Sequence, residues 1–103
     1  MNIDLKGKRV IVTGASRGIG RAIATAFAND GAKVAICSRN FADIAKVGEA
    51  LAERADAVIA RAVDVTDSHN VRTFVAEVAE AWGGVDVLVN NAGFGIRGGF
   101  LAN

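Results

Sequence analysis

The sequence predicts an α/β fold built around a parallel four-stranded sheet. Short apolar runs rich in β-branched residues alternate with segments of about 12–16 residues in which apolar positions recur at helical spacing. Of the 103 residues, 51% are hydrophobic, which is enough for a core and too many for a disordered chain. We therefore expect one domain, residues 1–103, with the order β-α-β-α-β-α-β.

Each predicted strand is a nearly continuous apolar run, which is typical of parallel strands covered on both faces. The four strands are "KRVIVTG" (8–14), "AKVAICS" (32–38), "AVIARAVDV" (57–65) and "VDVLVNNAG" (85–93). Parallel strands need long crossover connections, which the intervening helical segments supply. The expected spatial order is 3-2-1-4, the first half of a doubly wound sheet.

Three helices are predicted between these strands. The first ends before Gly31, the second lies within residues 40–55, and the third begins at Thr66 or Asp67 and stops at Gly83. Their expected buried positions are Ile19, Ile23, Ala26 and Phe27; Phe41, Ile44, Val47 and Leu51; and Val71, Phe74, Val75, Val78 and Trp82. Right-handed crossovers place the first two helices on one face of the sheet, so part of the other face should be bare.

Composition excludes several classes of partner. With 12 basic and 11 acidic residues the net charge is +1, so no nucleic-acid partner is expected. The apolar runs are too short for a membrane span, and the first residues lack the apolar core of a signal peptide. The single cysteine, Cys37, cannot form an internal disulfide, which favours the cytoplasm. His69 has no second ligand at metal spacing, so we predict no metal site.

The segment "VTGASRGIG" (12–20) follows the first strand and begins the first helix. In the predicted strand order it lies at the switch point where ligands bind. Gly14 suits a tight turn with positive φ, Gly18 lets a pyrophosphate approach the backbone, and Gly20 lets the helix pack close to the strand. We call residues 14–20 the glycine loop; the alternative is a flexible turn with no ligand.

Three motifs resemble those of the short-chain dehydrogenase/reductase family: "TGASRGIG" (13–20), "DVTD" (64–67) and "NNAG" (90–93). Residues 7–40 are similar to the 3-oxoacyl-carrier-protein reductase and carbonyl reductase branches. The resemblance covers about residues 5 to 95, and it implies a partial Rossmann-like, dinucleotide-binding domain. The three motifs are specific for the family, but they do not indicate the substrate.

The resemblance also implies roles for individual residues. Those implied to hold the diphosphate and the adenosine ribose are Gly14, Ala15, Ser16, Arg17, Gly18 and Ile19. Gly20, the last glycine of the loop, completes the set of cofactor-binding residues there. The Asp64 side chain and the Val65 backbone would contact the adenine. The residues implied to line the nicotinamide-side ribose and to tie the fourth strand to Thr13 are Asn90, Asn91, Ala92 and Gly93. The alternatives are a helix-entry cap at Asp64 and an ordinary strand-end turn at the asparagines.

The end of the second strand predicts the cofactor. Enzymes that use NAD place a carboxylate there, whereas a 2′-phosphate needs a cation. Ser38 and Arg39 occupy this position, and no acid precedes Asp43. A guanidinium fork at Arg39, with Arg17 across the same rim, favours NADP, and NAD is the less favoured cofactor. The alternative is a solvated Arg39 with no ligand.

Similar enzymes catalyse hydride transfer at a carbonyl with a tyrosine acid, and this sequence contains no tyrosine. One interpretation is therefore the truncated cofactor half of an NADP-dependent oxidoreductase that acts on a carbonyl or an alcohol. In that case this chain would contain no catalytic residue and would be inactive alone. The other is a stand-alone, non-catalytic nucleotide-binding or assembly module.

The fourth strand would form an apolar edge at residues 85–90, so we expect a homo-oligomer that covers it.

Overall fold

The computed structural model describes residues 4–91 and confirms the predicted architecture. Its elements are β1 (Arg9–Thr13), α1 (Gly18–Asn29), β2 (Lys33–Ser38), α2 (Phe41–Ala52), β3 (Ala57–Ala62), α3 (Ser68–Trp82) and β4 (Val87–Asn90). The strands pair in parallel in the order β3-β2-β1-β4. Thr13, at the end of β1, is level with Cys37 and Asn90, so the carboxyl ends of three strands lie at one edge of the sheet.

The sheet separates two apolar cores. On one face, Val12 and Ile36 pack with buried side chains of α1 and α2, as the right-handed crossovers predict. On the other face, Ile11, Ala35 and Cys37 pack against α3 and are all 0% exposed. The centre of this second face is therefore covered and not bare. Half-buried apolar side chains lie instead on the two edge strands, β3 and β4.

The first helix packs on the sheet through small residues. Its buried positions are Gly20, Ala24 and Ala28, which recur every four residues, with Ile23 partly buried beside them. The predicted apolar stripe was wrong at Ile19, which is 72% exposed, and at Ala26, which is also exposed. A face of glycine and alanine lets the helix axis approach the strands closely, and Ile19 falls outside that face.

The second helix buries Ile44, Val47 and Leu51 as predicted, but Phe41 is 61% exposed. The reason is local, since Phe41 is the first helical residue and precedes the turn that contacts the sheet. Asn40 caps this helix by accepting a hydrogen bond from the Asp43 backbone N–H at 2.9 Å.

Asp67, and not Thr66, is the N-cap of α3. Its carboxylate accepts a hydrogen bond from the His69 backbone N–H at 2.8 Å. The helix ends at Gly83, in the left-handed conformation, as the sequence predicts. Of the predicted buried positions, Phe74 and Val78 are fully covered.

Candidate functional site

The glycine loop leaves the middle of the sheet at the edge where β1, β2 and β4 end. Gly14 has a φ of 64° and Gly18 a φ of 62°, a region that side chains with a Cβ rarely adopt. The tight turn predicted at Gly14 is therefore present. A Cβ added at Gly18 would meet nothing within 4 Å, so the backbone at this position is open to an approaching molecule.

Gly20 brings the start of α1 against the loop. A Cβ at this position would collide with the Gly14 carbonyl oxygen and would lie 2.6 Å from the Asn91 Nδ2 atom. Both contacts are closer than a real Cβ tolerates, so no larger residue fits without displacing the loop or Asn91. The close helix–strand packing predicted for Gly20 is observed.

Backbone hydrogen bonds to β2 hold one side of the loop. The Gly14 and Ala15 N–H groups donate to the Cys37 carbonyl oxygen at 2.9 and 3.2 Å. The Cys37 side chain is fully buried beneath the loop, and this burial raises the pKa of its thiol to about 11. Cys37 is therefore a core residue of low reactivity that supports the loop through its backbone.

Two asparagine side chains hold the other side of the loop. The Thr13 hydroxyl donates to Asn90 Oδ1 at 2.9 Å, and Asn91 Nδ2 donates to the Gly14 carbonyl at 3.2 Å. The expected tie between the fourth strand and Thr13 is therefore present. The predicted site residues Ala92 and Gly93 lie outside the described residues.

A cavity of about 390 Å³ opens beside the glycine loop, and we call it the loop cavity. Its lining residues are Gly14, Ser16, Arg17, Ser38, Arg39, Asn40, Asp43, Val65 and Asn91. The sequence predicts all of these as site residues except Asn40 and Asp43. The fold thus brings four separate segments of the chain together around one depression.

The charges around the loop cavity are two cations and one carboxylate. Arg39 is exposed at the end of β2. Arg17, with a side chain 85% exposed, has its Nη2 atom 3.9 Å from Asp43 Oδ2. Arg17 is thus already next to an anion, and sequence reasoning assigned no such role to Asp43.

Asp64 lies beside the loop cavity and not within it. It lines a neighbouring depression of about 360 Å³ between β3 and α3. Its Oδ1 atom accepts hydrogen bonds from Thr66 Oγ1 at 2.6 Å and from the Thr66 N–H at 3.0 Å. These bonds lower the pKa of Asp64, and the Arg39 charge lowers it further. Asp64 therefore shapes the turn before α3 but does not cap the helix, whose N-cap is Asp67. Its second carboxylate oxygen, Oδ2, is a further hydrogen-bond acceptor.

The remaining predicted site residues lie around the loop cavity without lining it. Ala15 and Gly20 are the buried residues of the glycine loop, so they can act only through the backbone. Ile19 is exposed on the first turn of α1. Asn90 is half-buried and bonded to Thr13.

Asn40 and Asp43 are the lining residues that the sequence did not identify. A signal for them exists, since Asn40 has the spacing of an N-cap and Asp43 falls in the first turn of the following helix. Helices that follow parallel strands begin at the carboxyl edge of the sheet, so their first turns face a site at that edge. A cap and a first-turn acid after the second strand are therefore candidate site residues.

The described residues show neither a metal site nor a membrane span. Within residues 4–91, no three side chains of histidine, cysteine, aspartate or glutamate are grouped to hold a metal ion. None of the three helices in that range is long and apolar enough to cross a bilayer.

Known proteins that are similar in sequence to this chain include dehydrogenases and other oxidoreductases. The family model for short chain dehydrogenases matches residues 8–102. A sorbitol dehydrogenase of Cereibacter sphaeroides is 44% identical over 88 residues, which are 85% of this chain and 33% of that protein. The chain thus spans about a third of the length of that relative.

Solved structures with the same fold carry either nicotinamide cofactor. The L-sorbose reductase of Gluconobacter frateurii, complexed with NADPH and L-sorbose, is 38% identical with a TM-score of 0.80, over 88% of this chain and 36% of that one. An NADH-dependent reductase complexed with NAD is also 38% identical, with a TM-score of 0.78, over 88% of this chain and 38% of that one. These neighbours support a nicotinamide cofactor of either type.

Proposed function

We propose that this chain, which belongs to the short-chain dehydrogenase family, is the NADP(H)-binding portion of an oxidoreductase. The whole enzyme would transfer hydride between the cofactor and a carbonyl or alcohol substrate, and this chain would form a partial dinucleotide-binding domain. The observation that carries the proposal is the loop cavity, in which the glycine loop meets Ser38, Arg39 and Asn91.

The start of α1 fits a diphosphate. Its N-cap residue, Arg17, makes no side-chain hydrogen bond to the helix, and its first turn contains no acid. In α2 and α3, by contrast, Asn40 and Asp67 cap the first turn. The first N–H groups of α1 are thus available for phosphate oxygens, and Gly18 leaves the approach to them open.

Ser38 and Arg39 support NADP(H) as the preferred cofactor. They line the loop cavity at the end of β2, where an enzyme specific for NAD would place a carboxylate. A guanidinium can form a planar, two-bond contact with a 2′-phosphate, and a neighbouring hydroxyl can add a third bond. The bound cofactor would supply the hydride, whereas these residues would bind and orient its adenosine end.

Titration of the 103-residue protein with NADPH and NADH tests this proposal. We expect tighter binding of NADPH, and Arg39→Ala should weaken it about tenfold with little change for NADH, because a charge-assisted contact is lost. The control is Arg54→Ala, which removes an arginine from the opposite edge of the sheet. Equal affinity for the two cofactors in the unmodified protein would contradict the preference.

A second candidate function is a stand-alone nucleotide-binding or assembly module without catalysis. The 103 residues contain no tyrosine, which fits such a module and equally fits a cofactor-binding portion of a larger enzyme. The intact mass of the protein in its natural source separates the two, since the module would have the mass of this chain, 10.6 kDa. We place either form in the cytoplasm, where the single buried thiol of Cys37 stays reduced.

A further inference from the structure

Asp43 is the one acidic residue among those that line the loop cavity in the described part of the chain. It lies in the first turn of α2, with its side chain 47% exposed, and its Oδ2 atom is 3.9 Å from Arg17 Nη2. This ion pair joins the start of α2 to the glycine loop. One of the two rim cations therefore has an anionic partner before any ligand binds.

The position of Asp43 is set by its own segment. The Asp43 N–H donates to Asn40 Oδ1 at 2.9 Å. The Ser38 hydroxyl donates to the Asn40 backbone carbonyl oxygen at 3.4 Å. The residues that would meet a 2′-phosphate, Ser38 and Arg39, thus belong to the same short turn as Asp43. The carboxylate is held at the cavity rim by a capped helix start.

The Arg17–Asp43 pair also lies between two depressions. Ser16, Arg17 and Asp43 line both the loop cavity and an adjacent depression of about 290 Å³. Arg21, Lys46 and Val47 complete the lining of that depression. Asp43 therefore lies among three cationic side chains that belong to two helices and the glycine loop. Its charge lowers the positive potential at the rim from which an anion would approach.

We propose that Asp43 is a specificity-determining residue that limits the preference of this site for a 2′-phosphorylated dinucleotide. An Arg17 side chain that turns to the phosphate weakens its ion pair with Asp43, and the phosphate dianion then lies near the Asp43 carboxylate. A 2′-hydroxyl carries neither cost. The inference rests on the proposed function, because it requires adenosine nucleotides to bind in the loop cavity.

Calorimetric titration with adenosine 2′,5′-bisphosphate and adenosine 5′-monophosphate tests this role. Asp43→Asn should bind the bisphosphate about three- to tenfold more tightly than the unmodified protein, with less than a twofold change for the monophosphate. Glu49→Gln is the matched control, since it removes the same charge from an exposed position on α2. The gain from Asp43→Asn should shrink in an Arg17→Gln background.

The possible outcomes separate the two proposals. If no variant binds either nucleotide, the proposed function is wrong, and the role of Asp43 falls with it. If the unmodified protein binds both nucleotides and Asp43→Asn brings no gain for the bisphosphate, or Glu49→Gln brings the same gain, only the role of Asp43 is wrong. Circular dichroism checks the fold of each variant, and Asp43→Ser repeats the test should the asparagine variant unfold.

Discussion

Gly20 lies where the start of α1 touches both the glycine loop and the residue after β4. Alanine is favoured over glycine within a helix by about 1 kcal/mol, so propensity alone predicts that Gly20→Ala stabilises the protein. The collision of the new methyl group with Gly14 and Asn91 opposes this. We expect a net loss of about 1–3 kcal/mol in the free energy of unfolding, measured by urea titration.

Gly48→Ala is the control for this substitution. Gly48 is also buried within a helix, but its new methyl group would have the Ala60 side chain as nearest contact, at 3.1 Å. A small shift of the edge strand can relieve that contact, so Gly48→Ala should cost less. If Gly20→Ala were as stable as Gly48→Ala, the close approach at the glycine loop would not be rigid.

Sequence reasoning identified a residue well when one local property decides its role. The left-handed turns at Gly14 and Gly83 are of this kind. It failed where a role depends on packing distance, since Ile19 and Phe41 have helical spacing but lie beyond the faces that contact the sheet. Asp43 was not assigned because its proposed role depends on a partner, Arg17, in a separate segment, the glycine loop.

Among the elements, β1 and the segment that enters β4 are joined by one ion pair. The Asp86 carboxylate accepts hydrogen bonds from Arg9 at three atoms, the backbone N at 2.8 Å, Nε at 2.9 Å and Nη2 at 3.0 Å. These bonds hold the pKa of Asp86 well below its usual range. The pair aligns β4 at the amino edge, opposite the edge at which Asn90 and Asn91 act.

This depressed pKa predicts how stability depends on pH. The Asp86 contribution is fully present above the pKa of an unfolded aspartate, about 3.9, and is lost as the pH falls through the folded-state pKa. Asp86→Asn should therefore lower the free energy of unfolding at pH 7, and its difference from the unmodified protein should shrink in acid. Urea titrations at a series of pH values measure this.

Glu80→Gln is the control for the pH series, because Glu80 is an exposed carboxylate of α3. We expect its stability curve to follow that of the unmodified protein. An Asp86→Asn curve that stays parallel to the unmodified one down to pH 2 would show that the Arg9 pair does not contribute to stability.

The kinds and order of the elements followed from the sequence, but the strand lengths did not. The third strand was predicted to reach Val65, yet β3 ends at Ala62. Its partner sets this limit, since β2 ends at Ser38, which is level with Ala62. Apolar residues continue past that point, but the hydrogen-bonded ladder does not, and Asp64 then turns the chain toward α3.

For the whole molecule, periodicity and the handedness of crossovers were sufficient to predict the strand order. Val10 and Ile11 belong to opposite cores, as alternation along a strand requires, and the helices divide between the two faces as expected. The extent of cover on the second face was not predictable in this way, because it depends on the size of the Phe74 side chain, through which α3 shares a core with Ile11.

The edge strand β4 is the basis of a prediction about assembly. In the described residues β4 pairs only with β1 through residues 87–90, and its four residues are half-buried. An apolar strand edge can pair with another chain, so we expect a homodimer or a larger assembly that covers β4. Light scattering over a dilution series measures it. A monomer at every concentration would contradict this expectation and would point to residues 94–103, outside the described residues, as the cover.

The side-chain hydrogen bonds made by Asn90 and Asn91 at the glycine loop also predict an order of events in folding. Thr13 and Asn90, like Gly14 and Asn91, are 77 positions apart along the chain. Contacts this distant carry a larger loop-closure entropy than those between β1 and β2, so they should form late. In pulsed hydrogen exchange, the Gly14 and Ala15 amides, bonded to Cys37, should gain protection before those of β4. During synthesis the glycine loop would then have its hydrogen bonds to Cys37 but not the one from Asn91 until Asn91 has left the ribosome.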